Sequence, residues 1–148
     1  MGGFYPEERL DIPVHIAGSS RKANGAKMTK AILVVEDQED SRRIMRDLLS
    51  SAGYEIIEAI TGEEAVTAAE THQPVLILMD IQLPDFDGYE ATRRIKAKSA
   101  LRQIPIIAVT SYALSGDDVK AFNAGCDAYV SKPFSPRALL AEIREFLH

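Results

Sequence analysis

Five short apolar runs recur along the chain, each followed by a stretch of helical period, and no other feature constrains the fold as strongly. The runs are AILVVE (31–36), YEIIEA (54–59), VLILMD (75–80), IPIIAVT (104–110) and DAYVSK (127–132). Each is short, and most are rich in branched apolar residues, the pattern of strands rather than helices. The segments between them carry helix signals. DSRRIMRDLLSSAG places Ile44, Leu48 and Ala52 on one stripe, with Met45 and Leu49 beside it and Gly53 as a C-terminal stop. Thr61 followed three residues later by Glu64 makes a capping-box pattern for the second helix, and Pro74 closes that unit. GYEATRRIKAK forms the third. Ser115 and Asp118 stand at capping spacing for the fourth, which Gly125 stops. Ser135, Pro136 and a Leu139/Ile143/Phe146 stripe define the fifth.

Strands alternating with helices imply a parallel sheet covered on both faces. The first, third and fourth runs are the most apolar and belong at its centre. Right-handed crossovers then favour an α/β, flavodoxin-like, doubly wound (βα)5 fold with five parallel strands in order 2-1-3-4-5. A length of 148 residues suits one domain. The expected division is a disordered or loosely attached leader over residues 1–28 and a domain over 29–148. The leader has no sustained period and lacks the continuous apolar core of a signal peptide; a docked N-terminal arm is the alternative. A net charge of -5 without a Lys/Arg cluster argues against nucleic acid as a partner. No apolar run reaches the roughly 18 residues of a membrane span. The lone Cys126 cannot form an internal disulfide, so a reducing cytoplasm is expected, with Cys126 as a small buried hydrophobe.

In such a sheet a ligand sits past the carboxyl ends of the strands, at the switch point. The apolar runs stop there in polar chemistry. The first ends in Glu36-Asp37, the third in Asp80, the fourth in Thr110-Ser111 and the fifth in Lys132-Pro133. One acidic strand end alone is usually a solvated loop or a helix cap; the concurrence of several at one edge points to a site. Carboxylates brought together repel, so either some take up protons or a cation joins them. Hard oxygen ligands with room for waters suit Mg²⁺, and the lack of His or Cys at these ends argues against zinc. A carboxylate so placed can act as a nucleophile toward phosphorus and form an aspartyl phosphate. The three equatorial oxygens of the transferred group would then meet the cation, the Lys132 ammonium and the Thr110 hydroxyl.

The acid pair Glu36-Asp37, the MDIQLPDFDG segment around Asp80, Thr110 and the Lys132-Pro133 pair together resemble the receiver domain of bacterial two-component response regulators, the CheY-like superfamily. The likeness runs from about Thr29 to His148 and is of the stand-alone type, resembling DivK-like receivers. It implies that Asp80 accepts a phosphoryl group from a phosphohistidine on a histidine kinase or histidine phosphotransfer protein. It implies a Mg²⁺ site made of Asp37, of Glu36 acting through a bound water, of Asp80 and of the Gln82 backbone carbonyl. Thr110 and Lys132 would bind the phosphoryl oxygens, and the Lys132-Pro133 bond would be cis. Gly88 would serve a tight turn, and Gln82 and Tyr112 would modulate the lifetime of the phosphorylated state. Glu36 departs from the pattern, since that position is often Asp; altered metal affinity is expected rather than its loss. For switching, Thr110 would move toward the phosphoryl group and Tyr129 would rotate into the space it leaves. The readout surface would be the fourth helix, fifth strand and fifth helix, exposing Lys120, Ala121 and Tyr129, with Ala113 and Leu114 in a mobile loop.

No output module follows the fifth helix, so the expectation is a single-domain regulator that binds partners or passes its phosphoryl group on within a phosphorelay. It would catalyse only its own aspartyl phosphorylation and dephosphorylation. A haloacid-dehalogenase-type, Mg²⁺-dependent phosphatase would want a D-x-D motif after the first strand, where EDQED has the wrong spacing. A flavin or nucleotide module would want a glycine-rich phosphate loop there. A non-phosphorylated pseudo-receiver scaffold is opposed by the presence of Asp37, Asp80, Thr110 and Lys132.

Overall fold

The five apolar runs form the strands β2 (Ala31–Val35), β3 (Glu55–Ala59), β4 (Leu76–Asp80), β5 (Ile106–Thr110) and β6 (Ala128–Ser131). The computed structural model describes Val14, His15 and residues 31–111 and 117–147. Strands β2 to β6 pair in parallel, with β2, β4 and β5 central and β3 and β6 outside them, the doubly wound order expected. One further strand, β1 (Val14–His15), lies antiparallel against β3, with Val14 opposite Ile57 and His15 opposite Ile56. It belongs to the expected leader, the rest of which lies outside the described residues. Among the described residues five α-helices alternate with the parallel strands: α1 (Glu39–Ser51), α2 (Gly62–His72), α3 (Gly88–Lys96), α4 (Asp117–Ala124) and α5 (Pro136–Phe146). Tyr112, Ala113, Leu114 and Ser115 also fall outside the described residues.

The sheet divides two cores. On one face Leu33, Val35, Ile77, Met79 and Ala108 pack with alanines of α2 and with Ala91 and Ile95 of α3. On the other, Ile32, Val34, Leu78, Ile107 and Val109 pack with Met45 and Leu49 of α1 and Leu139 and Ile143 of α5. The strands are buried on both faces because each face is roofed by helices. This fixes the phase of α1 differently from the expected stripe. Met45 and Leu49 are buried, Leu48 is half-buried, and Ile44 and Ala52 are exposed, Ile44 by 58%. Apolar residues at 44, 45, 48 and 49 make two overlapping stripes, and the position of the sheet selects the second. A similar correction applies to α4, where Lys120 is exposed as expected but Ala121 is fully buried; the exposed apolar residues there are Val119 and Phe122.

Local signals stop and start the helices. The Thr61 side chain accepts from the Glu64 amide, and the Glu64 carboxylate accepts in return from the Ile60 amide. Ser135 accepts from the Ala138 amide, with Pro136 at the first turn of α5. Gly53 and Gly125 take φ of 94° and 114°, the left-handed conformation that ends α1 and α4 without a Cβ penalty.

The acidic loop after β4 is largely a capping device. Asp87 accepts from the Glu90 amide at the start of α3. Asp85 reaches across to α2, where its two oxygens accept from the Gly62 and Glu63 amides at 2.7 and 2.9 Å. Burial alone would raise the Asp85 carboxyl, but these amides, with those of Phe86 and Asp85 itself, hold it below the ordinary carboxylate range. Because the folded-state pKa is depressed, its stabilisation is present above the unfolded value and is lost as pH falls through the folded one. Asp85→Ala is therefore expected to cost about 1 kcal/mol at pH 7, the usual scale of an N-terminal cap. Denaturant melts should show that cost shrinking toward pH 3; a pH-independent cost would contradict the capping role.

Candidate functional site

Strand alternation brings the charged strand ends to one place. Val35 of β2 pairs with Met79 of β4, so Glu36 stands beside Asp80 one residue on. Asp80 is in register with Val109, and Val109 with Val130, so Lys132, two residues beyond Val130, faces the same side. Glu36 is fully buried and Asp80 is 4% exposed. The Lys132 ammonium lies 2.6 Å from Glu36 Oε1 and 3.9 Å from Asp80 Oδ2. It is thus held chiefly by Glu36 and only secondarily by Asp80. The second Glu36 oxygen accepts from the Gln38 amide, and Asp80 Oδ1 from the Gln82 amide, both at 3.2 Å. The Lys132-Pro133 bond is cis, and the Lys132 amide donates to the Thr110 carbonyl at 2.8 Å.

Burial pushes the Asp80 carboxyl up to about 7, and the negative charge of Glu36 acts in the same direction; Lys132 and the Gln82 amide oppose them only in part. Asp37 is the most open of the three acids. Glu36, Asp37 and Asp80 each offer a carboxylate oxygen, and these atoms lie within 4.8 Å of one another. Three carboxylates facing one ammonium leave a charge deficit that a divalent cation would meet. The donors are hard oxygens without His or Cys, so the site fits Mg²⁺ in charge and in chemistry. The cleft above them has a volume of about 480 Å³, and Gln38, Ser41, Gln82, Ser111 and Lys132 complete its walls. Across its rim the Ser111 hydroxyl donates to the Gln82 side-chain oxygen at 3.4 Å.

Not every predicted residue sits in the cleft. Thr110 is buried at the end of β5 and faces the opposite side of the sheet from Asp80; Ser111 lines the cleft instead. Tyr129 pairs with Ala108 and so shares Thr110's face, half-buried against the core beneath α4. Tyr112 lies outside the described residues. Gly88 is required by close approach rather than by a positive φ. A Cβ there would collide with the Asp80 carbonyl oxygen and come within 2.9 Å of the Ile81 Cα, while the Gly88 amide donates to the Ile81 carbonyl at 2.8 Å. Cys126 is buried, its thiol pushed up to about 11 by burial, and takes no part in the site.

One group of residues escaped the sequence reading. Glu58 of β3, 2% exposed, accepts from Arg42 Nε at 2.8 Å and from Arg46 Nη1 at 3.0 Å. Arg42 Nη1 also donates to the Glu36 backbone carbonyl at 3.1 Å. The available signal was two arginines four residues apart on α1 and a second acid, Glu58, inside a short strand whose neighbours Ile56 and Ile57 are apolar.

Comparison with known proteins agrees with this geometry. The response regulator receiver domain family model matches residues 32–144. The polar-differentiation response regulator DivK of Brucella ovis is 45% identical over 120 residues, spanning 81% of this chain and 98% of that protein. The receiver domain of the sensor histidine kinase PA1611 from Pseudomonas aeruginosa PAO1 is 38% identical with a TM-score of 0.75, covering 80% of this chain and 98% of that one; its crystal structure has a magnesium ion coordinated in the active site cleft. The chemotaxis protein CheY4 of Vibrio cholerae, 26% identical, superposes with a TM-score of 0.76 over 81% of this chain and 100% of its own. A carboxylate-lined cleft at the switch point of a doubly wound sheet, matched in sequence over most of the chain, places this protein in the response regulator receiver domain family of two-component systems.

Proposed function

We propose that the protein is a phosphoryl-accepting switch that takes a phosphoryl group from a phosphohistidine, on a histidine kinase or a histidine phosphotransfer protein, onto Asp80. The observation that carries this reading is the burial of Asp80 beside Glu36, with Lys132 within reach of both carboxylates. In the transfer an Asp80 oxygen forms the new P–O bond as the P–N bond breaks, and the electron pair returns to the imidazole nitrogen. Asp37, Asp80, the Gln82 backbone carbonyl and, through water, Glu36 would hold Mg²⁺. When bound, that ion would offset charge on the phosphoryl oxygens and favour the ionised form of Asp80. Lys132, held by Glu36 and 3.9 Å from Asp80, is a cation that can turn toward the new charge. Thr110 and Tyr129 share one sheet face, which supports a coupled movement of the two. The exposed side of α4, with Lys120, Val119 and Phe122, and the neighbouring β6 and α5 would present the change to a downstream protein. The only catalysis in this scheme is the chain's own phosphorylation and dephosphorylation. Gln82, which is hydrogen-bonded to Ser111 at the rim, and Tyr112 would influence the lifetime of the product. The division into a leader over 1–28 and a receiver over 29–148 is supported by the extent of the family match. Among the described residues no helix is long and apolar enough to cross a membrane, and the acidic cleft favours a protein partner over a nucleic acid; a cytoplasmic setting belongs to the same proposal.

Acetyl phosphate with Mg²⁺ should add one phosphoryl group to the wild type and none to Asp80→Asn, read by intact mass. Equal labelling of both would reject Asp80 as the acceptor. At limiting Mg²⁺ the labelling rate should climb from pH 5 to pH 8, since the attacking carboxylate must first lose its proton.

Stability gives an independent check. A carboxyl raised to about 7 keeps a proton in the folded chain that the unfolded chain releases near its ordinary value of about 4. Its contribution is therefore full at acid pH and lost as pH rises through about 7. In chelator at pH 8, Asp80→Asn should melt above the wild type by on the order of 5 °C, and the gap should close toward pH 4. A constant gap would show that Asp80 is not destabilised by its charge. Lys132→Ala should still accept phosphate from acetyl phosphate but respond to it less. If phosphorylation shifted the amide resonances of α4 and β6 as strongly as in the wild type, Lys132 would have no part in the switch.

A further inference from the structure

The Glu36-Asp37 peptide is fixed from behind by a buried ionic pair that nothing in the proposed chemistry uses. Arg42 is a rigid, planar fork. One arm, Nε, is bound to the Glu58 carboxylate, and another, Nη1, to the Glu36 carbonyl, so a single guanidinium spans from β3 to the acid loop. Glu58 is in turn gripped by Arg46. The Glu36 amide is tied to the same strand through the Ala59 carbonyl at 3.0 Å. Both backbone groups of Glu36 are thus moored to β3, and the direction in which Asp37 leaves the sheet follows from them. Burying a carboxylate with two guanidiniums is a poor way to gain stability, because desolvation consumes most of the attraction and apolar side chains of similar volume often do as well. Its distinct capability is geometric.

We propose that Arg42 is a positioning residue for the divalent-cation site, oriented by Glu58 and Arg46, which holds the Glu36-Asp37 peptide where the Asp37 carboxylate converges with Asp80. The inference rests on the cation reading given above. Outer partners that orient metal ligands commonly alter affinity by about 10- to 100-fold when lost. Lysine at position 42 keeps the charge but lacks the second arm.

The test is Mg²⁺ titration of the full chain, followed by amide chemical shifts of residues 36–38 and 80–82, together with melting temperature in chelator. Arg42→Lys should weaken Mg²⁺ by about tenfold, whereas Arg46→Lys, whose partner is Glu58 rather than the loop, should change it by about twofold or less. The triple replacement Arg42→Met, Glu58→Met and Arg46→Met removes the carboxylate together with both guanidiniums that grip it. It should melt close to the wild type yet bind Mg²⁺ about tenfold more weakly, a separation that a purely structural network would not produce. Wild-type affinity in Arg42→Lys, or in the triple variant should the single one not fold, would overturn the positioning role. Failure of the wild type itself to bind Mg²⁺ would overturn the cation reading and this inference with it.

Discussion

Two carboxylates buried side by side with one ammonium between them set the terms for the whole carboxyl edge of the sheet. Glu36 and Asp80 are carried there by β2 and β4, the two strands at the switch point, and neither can retreat into solvent. Their repulsion is only partly relieved by Lys132, which sits closer to Glu36. The result is an edge under electrostatic tension that protons, a divalent ion or a rearranged Lys132 can each relieve. The longer side chain at position 36 matters here. Glu36 reaches Lys132 at 2.6 Å and leaves Asp80 the weaker claim on it.

The remaining acids near the cleft do a different job. Asp85 and Asp87 accept from helix N-terminal amides, where a negative charge also meets the positive end of the helix dipole. Asp85 does this for a helix other than the one its own loop enters, so the segment after β4 is braced against α2. Phe86 reinforces the brace, lying close to Gly62 and carrying the Arg94 guanidinium 3.9 Å above its ring. Gly88 lets the same segment turn back against the Asp80 carbonyl. The backbone that presents Asp80 and Gln82 is thereby held from two sides, by caps on one and by close packing on the other.

How much of this was legible in the sequence depends on how far apart the cause and the effect lie. Strand order followed from the apolar runs and handedness, because burial on both faces leaves a one-dimensional trace. The convergence of Glu36, Asp37, Asp80 and Lys132 followed from where each run stops. The phase of α1 did not, since four apolar residues fit two stripes and only the sheet chooses between them. The burial of Ala121 was equally hidden: an alanine costs little on either side of a helix, so its identity carries almost no information. The Arg42–Glu58–Arg46 network left only a weak trace, because each member alone looks like a solvated surface charge and the pairing spans 16 residues between α1 and β3. The different surroundings of Asp80, at the end of β4, and Asp85, five positions on in the acidic loop, follow from which amides lie within reach.

The short β1 strand has a bearing on self-association. Exposed strand edges offer unpaired amides and carbonyls that template a second chain. Val14–His15 occupies that position on β3. Among the described residues the other lateral margin is β6, which bears Tyr129 and leads directly into Lys132. A second copy pairing edge to edge along β6 would therefore meet this chain beside Lys132, one wall of the carboxylate cleft, and the two events would be felt by the same backbone.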